Sequence, residues 1–521
     1  MQPVPDWGTL PRMLRDQARH HPGSTVVGDR PMAWLRERAA VVARGLIALG
    51  VEPGDRVALW GLNDPYWVVH ALGIWDAGAV IVPLSSRFKG IEAAGLIAKT
   101  GASVLITGAG PHGSVLADLL PWDVELRHVV VPDDHAVRQA DPLAPARLTA
   151  ARLAALGEAV PVAAAEERAL AVRPDDLCEI MSTSGTTGTP KGVMLDHAQV
   201  LRGYWDWAEI VTLREDDRYP VIAPFSHGFG LNAGLIACVL RRATMLPIPL
   251  FSPDGLMSLI SSQRISVLAG PPTLFYRVLD ELDRGSWDVS SLRVAICGAA
   301  SVPPRLIERL ADRVGLERMI NAYGLMEGTV VSMTRQGDPI EVIAGTTGRP
   351  VPGIEVKIVD DAGKEVPAGE RGEVLQRGYG VMRGYWGEPD KTAETVDADG
   401  WLHTGDIGVL DAAGNLAIVD RKKELFIVNG FNVSPAEVEA LLLREGSLEQ
   451  AAVVGRPDEV SGEAGWAYVV PRSGTGLDVE ALLAWAKANM AGYKVPRRVI
   501  VVDALPVNAN GKVDKQALRE R

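Results

Sequence analysis

Residues 182–192 read STSGTTGTPKG: six hydroxyl side chains, three glycines, one lysine and one proline, with no large apolar side chain to bury. Glycines let successive backbone N–H groups turn toward one point, hydroxyls add donors and Lys191 adds a positive charge, so the chemistry on offer is the holding of a polyanion such as phosphate. A flexible linker has a similar composition but needs no ordered flanks. Here the flanks are ordered: LCEIM at 177–181 reads as a short buried strand, KGVMLD at 191–196 as another, and Asp196 with Gln199 three residues on resembles a capping box opening a helix over HAQVLRGYWDWA. A Walker loop is excluded, because it needs Gly-Lys followed by Ser or Thr, whereas Gly188 is followed by Thr189, Pro190, Lys191 and Gly192.

The elements around this loop follow from size and rhythm. A chain of 521 residues exceeds a single core, so two or more domains are expected. Up to about residue 345 the sequence alternates strand and helix, as in RVALWGLN before DPYWVVHALGIWDAG, which implies layered α/β subdomains; RYPVIAP, ATMLPIP, ISVLAGPP and LRVAICGAA form a second such set. Beyond Gly345 short strands and turns take over, with a hairpin at Asp360, Asp361 and Gly363, as in a β-rich subdomain. The charged turn DRKKE then precedes a small α+β unit, so the expected domains are 1–422 and 423–521.

Composition excludes several functions. A net charge of −12 argues against nucleic acid or an anionic membrane as the main partner. The uncharged run at 219–240 is broken by Pro224, Ser226, His227, Gly228 and Asn232, so it reads as two buried elements joined by a polar turn rather than a membrane span. The N-terminal residues lack the apolar core of a leader. Cys178, Cys238 and Cys297 have no metal-ligand spacing and read as buried free thiols in a reducing cytoplasm.

Four further segments join the first in order and spacing: PFSHGFG, NAYGLMEGT, GWLHTGDIG followed by VDRKKELFIVNGFNVSPAEVE, and PVNANGKVDKQAL. Together they resemble the adenylate-forming superfamily of acyl-CoA synthetases, adenylation domains and luciferases, over nearly the whole chain. Within it the chain is similar to stand-alone bacterial acyl-CoA ligases, including actinobacterial ligases for fatty and steroid-side-chain acids. The resemblance implies that a carboxylic acid attacks the α-phosphate of ATP with Mg²⁺ present, and that coenzyme A then takes the acyl group. Because two anions must approach, cations and oriented donors carry most of such catalysis.

The resemblance also assigns residues. Thr183, Ser184, Gly185, Thr186, Thr187, Gly188 and Thr189 with Lys191 would hold the outer phosphates, and Glu327 would bind Mg²⁺ as a hard oxygen ligand. Tyr323 would stack on adenine, bordered by Gly298, Ala299, Ala300, Asn321, Ala322 and Gly324. Asp406 would accept the ribose hydroxyls with Arg421 beside it and Ile418 near the base. Lys512, on a Gly-containing loop of the mobile C-terminal domain, would serve the first step. His227 would border the acid. Lys423 falls at the hinge, and Gly430 would line the pantetheine passage of the second step.

One departure stands out. The family usually has Thr before its Mg²⁺-binding glutamate, whereas Met326 has no donor. That keeps open an altered acceptor: a carrier-protein thiol such as acyl carrier protein, an amine, or nitrite as the activated anion. A silent nucleotide sensor is a third reading, weighed against by the presence of Lys191, Glu327, Asp406 and Lys512. Trp205, Trp207, Phe225, Phe229 and Asn232 are candidate neighbours of a small-molecule acid. The sequence leaves monomer and homodimer both open.

Overall fold

The computed structural model describes residues 3–88, 90–110, 113–121, 124–134, 146–183, 191–298, 302, 304–421, 426–428, 431–433, 435–458, 461–472, 476–490, 492–508 and 511–521. It is a mixed α/β protein whose contacts divide into two compact units, 1–356 with 376–402, and 357–375 with 403–521.

The larger unit is built on an eight-stranded sheet. Its order from edge to edge is Gly384–Tyr385, Lys191–Asp196, Leu177–Thr183, Val80–Leu84, Arg56–Trp60, Val104–Thr107, His128–Val131 and Ala146–Thr149. The five strands from Val80–Leu84 to Ala146–Thr149 pair in parallel, as strand–helix alternation requires, and Val80–Leu84 also lies parallel to Leu177–Thr183. Only the two edge pairings, around Lys191–Asp196, are antiparallel. The expected capping box is present: Asp196 accepts from the Gln199 backbone and Gln199 from the Asp196 N–H, opening the helix His197–Val211. A five-stranded sheet (Val267–Gly270, Val294–Gly298, Arg318–Leu325, Thr329–Met333, Arg349–Pro350) and a four-stranded sheet (Arg218–Val221, Thr244–Pro247, Thr25–Val27, Arg30–Pro31) complete this unit's layers.

The uncharged run resolves as expected into the strand Arg218–Val221, a polar turn, and helical turns from Gly228 to Arg241, including a wide π-type turn over Leu231–Ile236. Among the described residues no helix is long and apolar enough to cross a membrane. The three cysteines are buried and unpaired, and burial pushes the Cys297 thiol up to about 12.

The smaller unit carries Leu402–Leu410 and Leu416–Arg421 in one sheet, and a C-terminal sheet ordered Phe431–Val433, Phe426–Val428, Gly462–Pro471 and Leu448–Asp458, with Arg498–Val501 beside Gly462–Pro471. The hairpin expected at Asp360 and Gly363 is present: Gly363 has φ of 79°, and Asp360 caps the turn through the N–H groups of Ala362 and Lys364.

One acid is buried inside the apolar strand Leu177–Thr183. Glu179 is fully buried, accepts from the Asn232 amide at 2.8 Å, and is pushed up to about 7 by burial. Unfolded, the same group has its ordinary value near 4.5. Between those values the folded chain keeps a proton that the unfolded chain gives up, so stability falls as pH rises through that window. We predict that the melting temperature declines from pH 5 to 7.5, and that Glu179→Gln, which preserves the bond to Asn232, flattens the decline. An identical slope in the variant contradicts this assignment.

Candidate active site

The phosphate loop is framed by antiparallel pairing. Ser182 lies opposite Gly192 and Thr183 opposite Lys191, so both strands run to the loop's ends; Ser184, Gly185, Thr186, Thr187, Gly188 and Thr189 lie outside the described residues. On the other side of Lys191–Asp196, Tyr385 pairs with Val193 and the Trp386 N–H donates to the Gly192 carbonyl at 2.7 Å. Lys191 and Val193 share a strand face, which brings the ring opposite Val193 diagonally beside the lysine. The Lys191 ammonium lies 4.3 Å from the Tyr385 ring centroid.

The same tyrosine touches the acidic candidate. Its hydroxyl donates to Glu327 Oε1 at 2.9 Å, and the backbone adds Met382 N–H to the Glu327 carbonyl at 2.8 Å. Burial, with the Glu327 carboxylate next, raises the Tyr385 phenol well above its ordinary value, so it stays a donor. Tyr385 was missed by sequence reasoning, since an aromatic in GYW reads as core. Its role arises only when a two-residue strand docks on the loop strand.

His227 caps the turn Gly228–Gly230, its Nδ1 accepting from the Phe229 N–H at 3.1 Å, which places the proton of the neutral ring on Nε2. Asn63, a second residue missed, holds the preceding turn: its amide donates to the Val221 and Ala223 carbonyls, and its oxygen accepts from Phe225 N–H at 2.9 Å. A buried Asn just after a strand was the available signal. Met326 packs beside this turn. A Cβ at Gly228 would meet its sulfur at 3.2 Å and the Tyr204 hydroxyl at 3.7 Å, so Met326 joins the Glu327 turn to the His227 turn by apolar contact.

On the five-stranded sheet, Gly298 pairs with Ala322, and a Cβ there would stand 2.7 Å from the Ala322 carbonyl. Strand proximity by itself demands that glycine. Gly324 is constrained likewise by the Thr329 carbonyl at 2.4 Å. Tyr323 is half-buried opposite Ser332, whereas the Asn321 amide is committed to the Ile343 and Thr346 carbonyls. Ala299 and Ala300 lie outside the described residues. Of the aromatic candidates, Trp205 stacks edge-on to Trp7 under the Arg241 guanidinium, Phe225 packs on Trp67, and Trp207 is in the core; Phe229 alone is half-buried.

In the smaller unit, Asp406 is buried and lies directly across from Arg421, while Ile418 pairs with Gly408 past a bulge. Gly405, at φ 71°, turns the HTGD segment so that its N–H reaches Glu373, while the Asp406 N–H reaches the Thr404 hydroxyl. Lys512 is exposed on a hairpin closed by the Val507–Val513 bridge, with Gly511 at φ 74° and Asn508 bonded to the Lys512 backbone in both directions. Lys423 and Gly430 lie outside the described residues.

Among the described residues no cluster of three His, Cys, Asp or Glu side chains is poised to hold a metal. A lone carboxylate such as Glu327, one oxygen of which is bonded to Tyr385, suits a hard cation that takes its remaining ligands from phosphates and water.

Two family models cover the chain: the AMP-binding enzyme over residues 14–386 and its C-terminal domain over 437–512. The chain belongs to this family. It is an enzyme that activates a carboxylic acid with ATP, forming AMP, and passes the acyl group to coenzyme A. Curated relatives include a 3-[(3aS,4S,7aS)-7a-methyl-1,5-dioxo-octahydro-1H-inden-4-yl]propanoyl:CoA ligase of Rhodococcus jostii, 41% identical with 98% of each chain covered. The protein of the same name from Mycobacterium tuberculosis is 43% identical with 99% of each covered. Among solved structures, the anthranilate CoA ligase AuaEII in complex with anthranoyl-AMP superposes with a TM-score of 0.85, at 27% identity over 100% of this chain and 98% of that one. These relatives do not favour nitrite as the activated anion or an amine as the acceptor.

The His227 turn offers a direct test. A Cβ at Gly230 would lie 2.2 Å from the Pro224 carbonyl and 2.4 Å from that of Ala223, backbone atoms that cannot yield as a side chain can. Gly230→Ala is predicted to cut adenylate formation about tenfold or more by moving His227, with circular dichroism unchanged. Full activity in that variant contradicts the placement of His227 at the acid.

Proposed function

We propose that this enzyme activates an alicyclic propanoic acid of the bicyclic, keto-bearing kind. The observation that carries the acid class is identity of 41% and 43%, across essentially the full chain, to two ligases named for such an acid. Half-buried Phe229 and Met326 beside His227 give an apolar border consistent with a ring system.

In the proposed first step the substrate carboxylate attacks the α-phosphorus and pyrophosphate leaves. Lys191 neutralises the outer phosphates together with loop residues 183–189. Glu327 is the ligand for Mg²⁺, which when bound offsets phosphate charge. Tyr323 stacks on the adenine, and Asp406 with Arg421 takes the ribose. Lys512 stabilises charge between the carboxylate and the α-phosphate, brought there by rotation of the domain 423–521 about Lys423. In the second step the coenzyme A thiol, passing Gly430, attacks the acyl carbonyl and AMP leaves with the oxygen it gained. The proposed setting is the cytoplasm, where ATP and coenzyme A are supplied, with acyl carrier protein as the alternative thiol.

Two measurements test this reading. Pyrophosphate release across fatty, alicyclic and aryl acids, each with and without coenzyme A, is expected to be greatest with ring-bearing propanoates and to yield the acyl-CoA; a preference for long unbranched acids overturns the acid class. Lys512→Ala is expected to lower adenylate formation by about 10² or more while ATP affinity stays within about twofold. Undiminished pyrophosphate release would remove Lys512 from the first step.

A further inference from the structure

Tyr385 stands where two opposite charges meet. It is buried, the Lys191 ammonium lies over its ring at 4.3 Å, and its hydroxyl holds Glu327 Oε1 at 2.9 Å. Lys191 and Glu327 each meet the tyrosine rather than one another, and no ion pair between them occurs among the described residues. The backbone makes the arrangement rigid: residues 382–386 bond to Glu327 through Met382 and to the lysine strand through Tyr385 and Trp386. The Tyr385 N–H is itself fixed by the Thr392 hydroxyl at 2.9 Å, which donates in turn to the Glu388 carbonyl.

An ammonium and a carboxylate that meet the same side chain in a partly dry site attract one another. Paired directly, each would cancel the other, and the pair would have to break before either met a phosphate or a cation. An aromatic face holds an ammonium more weakly than a carboxylate does and gives it up readily. The phenol occupies one lone pair of Glu327 and leaves the second oxygen.

We propose that Tyr385 is a positioning residue that keeps Lys191 and Glu327 apart and aimed, so that the cation is delivered to the ATP phosphates and the carboxylate to Mg²⁺. This rests on the ATP and Mg²⁺ roles proposed above for those two residues. The hydroxyl and the ring then have separable functions: the hydroxyl sets the Mg²⁺ response, and the ring sets the phosphate response.

The experiment is equilibrium binding of ATP by calorimetry, in EDTA and across a Mg²⁺ titration, for the wild-type chain, Tyr385→Phe and Tyr385→Leu, with melting temperatures to confirm folding. Tyr385→Phe keeps the ring, so its Mg²⁺-free ATP affinity is expected to match wild type while the Mg²⁺ midpoint rises about tenfold. Tyr385→Leu is expected to show that rise and also to weaken Mg²⁺-free ATP binding about three- to tenfold. In turnover both variants raise the KM for ATP more than they lower kcat. If the two variants lose Mg²⁺-free and Mg²⁺-bound affinity alike, or neither changes, Tyr385 is a packing residue and the proposal fails. Wild-type ATP binding that ignores Mg²⁺ entirely would instead remove the Glu327 assignment, and the wild-type curve distinguishes that failure from the first.

Discussion

The chemistry of this enzyme is limited by the repulsion of two anions. A carboxylate must come within bonding distance of a triphosphate, and like charges 4 Å apart at an effective dielectric constant near 20 repel by about 4 kcal/mol. Positive charge therefore has to be held ready without being spent on the protein's own acids. In the proposed mechanism the edge of the eight-stranded sheet meets this requirement: Lys191–Asp196 is paired on one side to Leu177–Thr183 and on the other to Gly384–Tyr385. The backbone ladder thus sets where the ammonium stands, and a phenol stands between it and Glu327.

The rest of the larger unit supports that edge. Parallel strands buried on both faces fix the strand Leu177–Thr183, and the capping box at Asp196 fixes the start of the helix that follows. Asn63, just past Arg56–Trp60, ties the same sheet to the turn before His227 through three hydrogen bonds. The smaller unit places its own candidates by a different device, the tight hairpin: Asp406 faces Arg421 across one, and Gly511 turns another to expose Lys512. Among the candidates, Lys191 at the start of its strand, His227 in a turn and Lys512 in a hairpin turn are carried where regular structure ends.

What could be read from the sequence was whatever depends on local chemistry. The capping box is legible in Asp196 and Gln199 and the hairpin in Asp360 and Gly363, while the composition of residues 182–192 marks them as a candidate for holding phosphate. The large α/β domain followed by a small α+β one is legible in the strand and helix rhythm. What escaped depends on distant pairing. Tyr385 acts through a strand almost two hundred positions away, and Asn63 through a turn about as far off. Trp205 looks like a pocket residue until Trp7 and Arg241 are found around it. Gly298 and Gly324, expected beside the base, each also have a neighbouring carbonyl that leaves no room for a side chain, a constraint that only the strand pairing reveals.

The central claim is that the acid is activated at the α-phosphate of ATP before the thiol attacks. Turnover of an acid whose carboxylate carries ¹⁸O at both positions, followed by mass spectrometry of the nucleotide and phosphate products, tests it directly. The account predicts one heavy oxygen in AMP and none in pyrophosphate, because the carboxylate oxygen that bonds to the α-phosphorus stays there when coenzyme A takes the acyl group. Unlabelled AMP, or label in inorganic phosphate, would mean attack elsewhere on the triphosphate and would contradict the account.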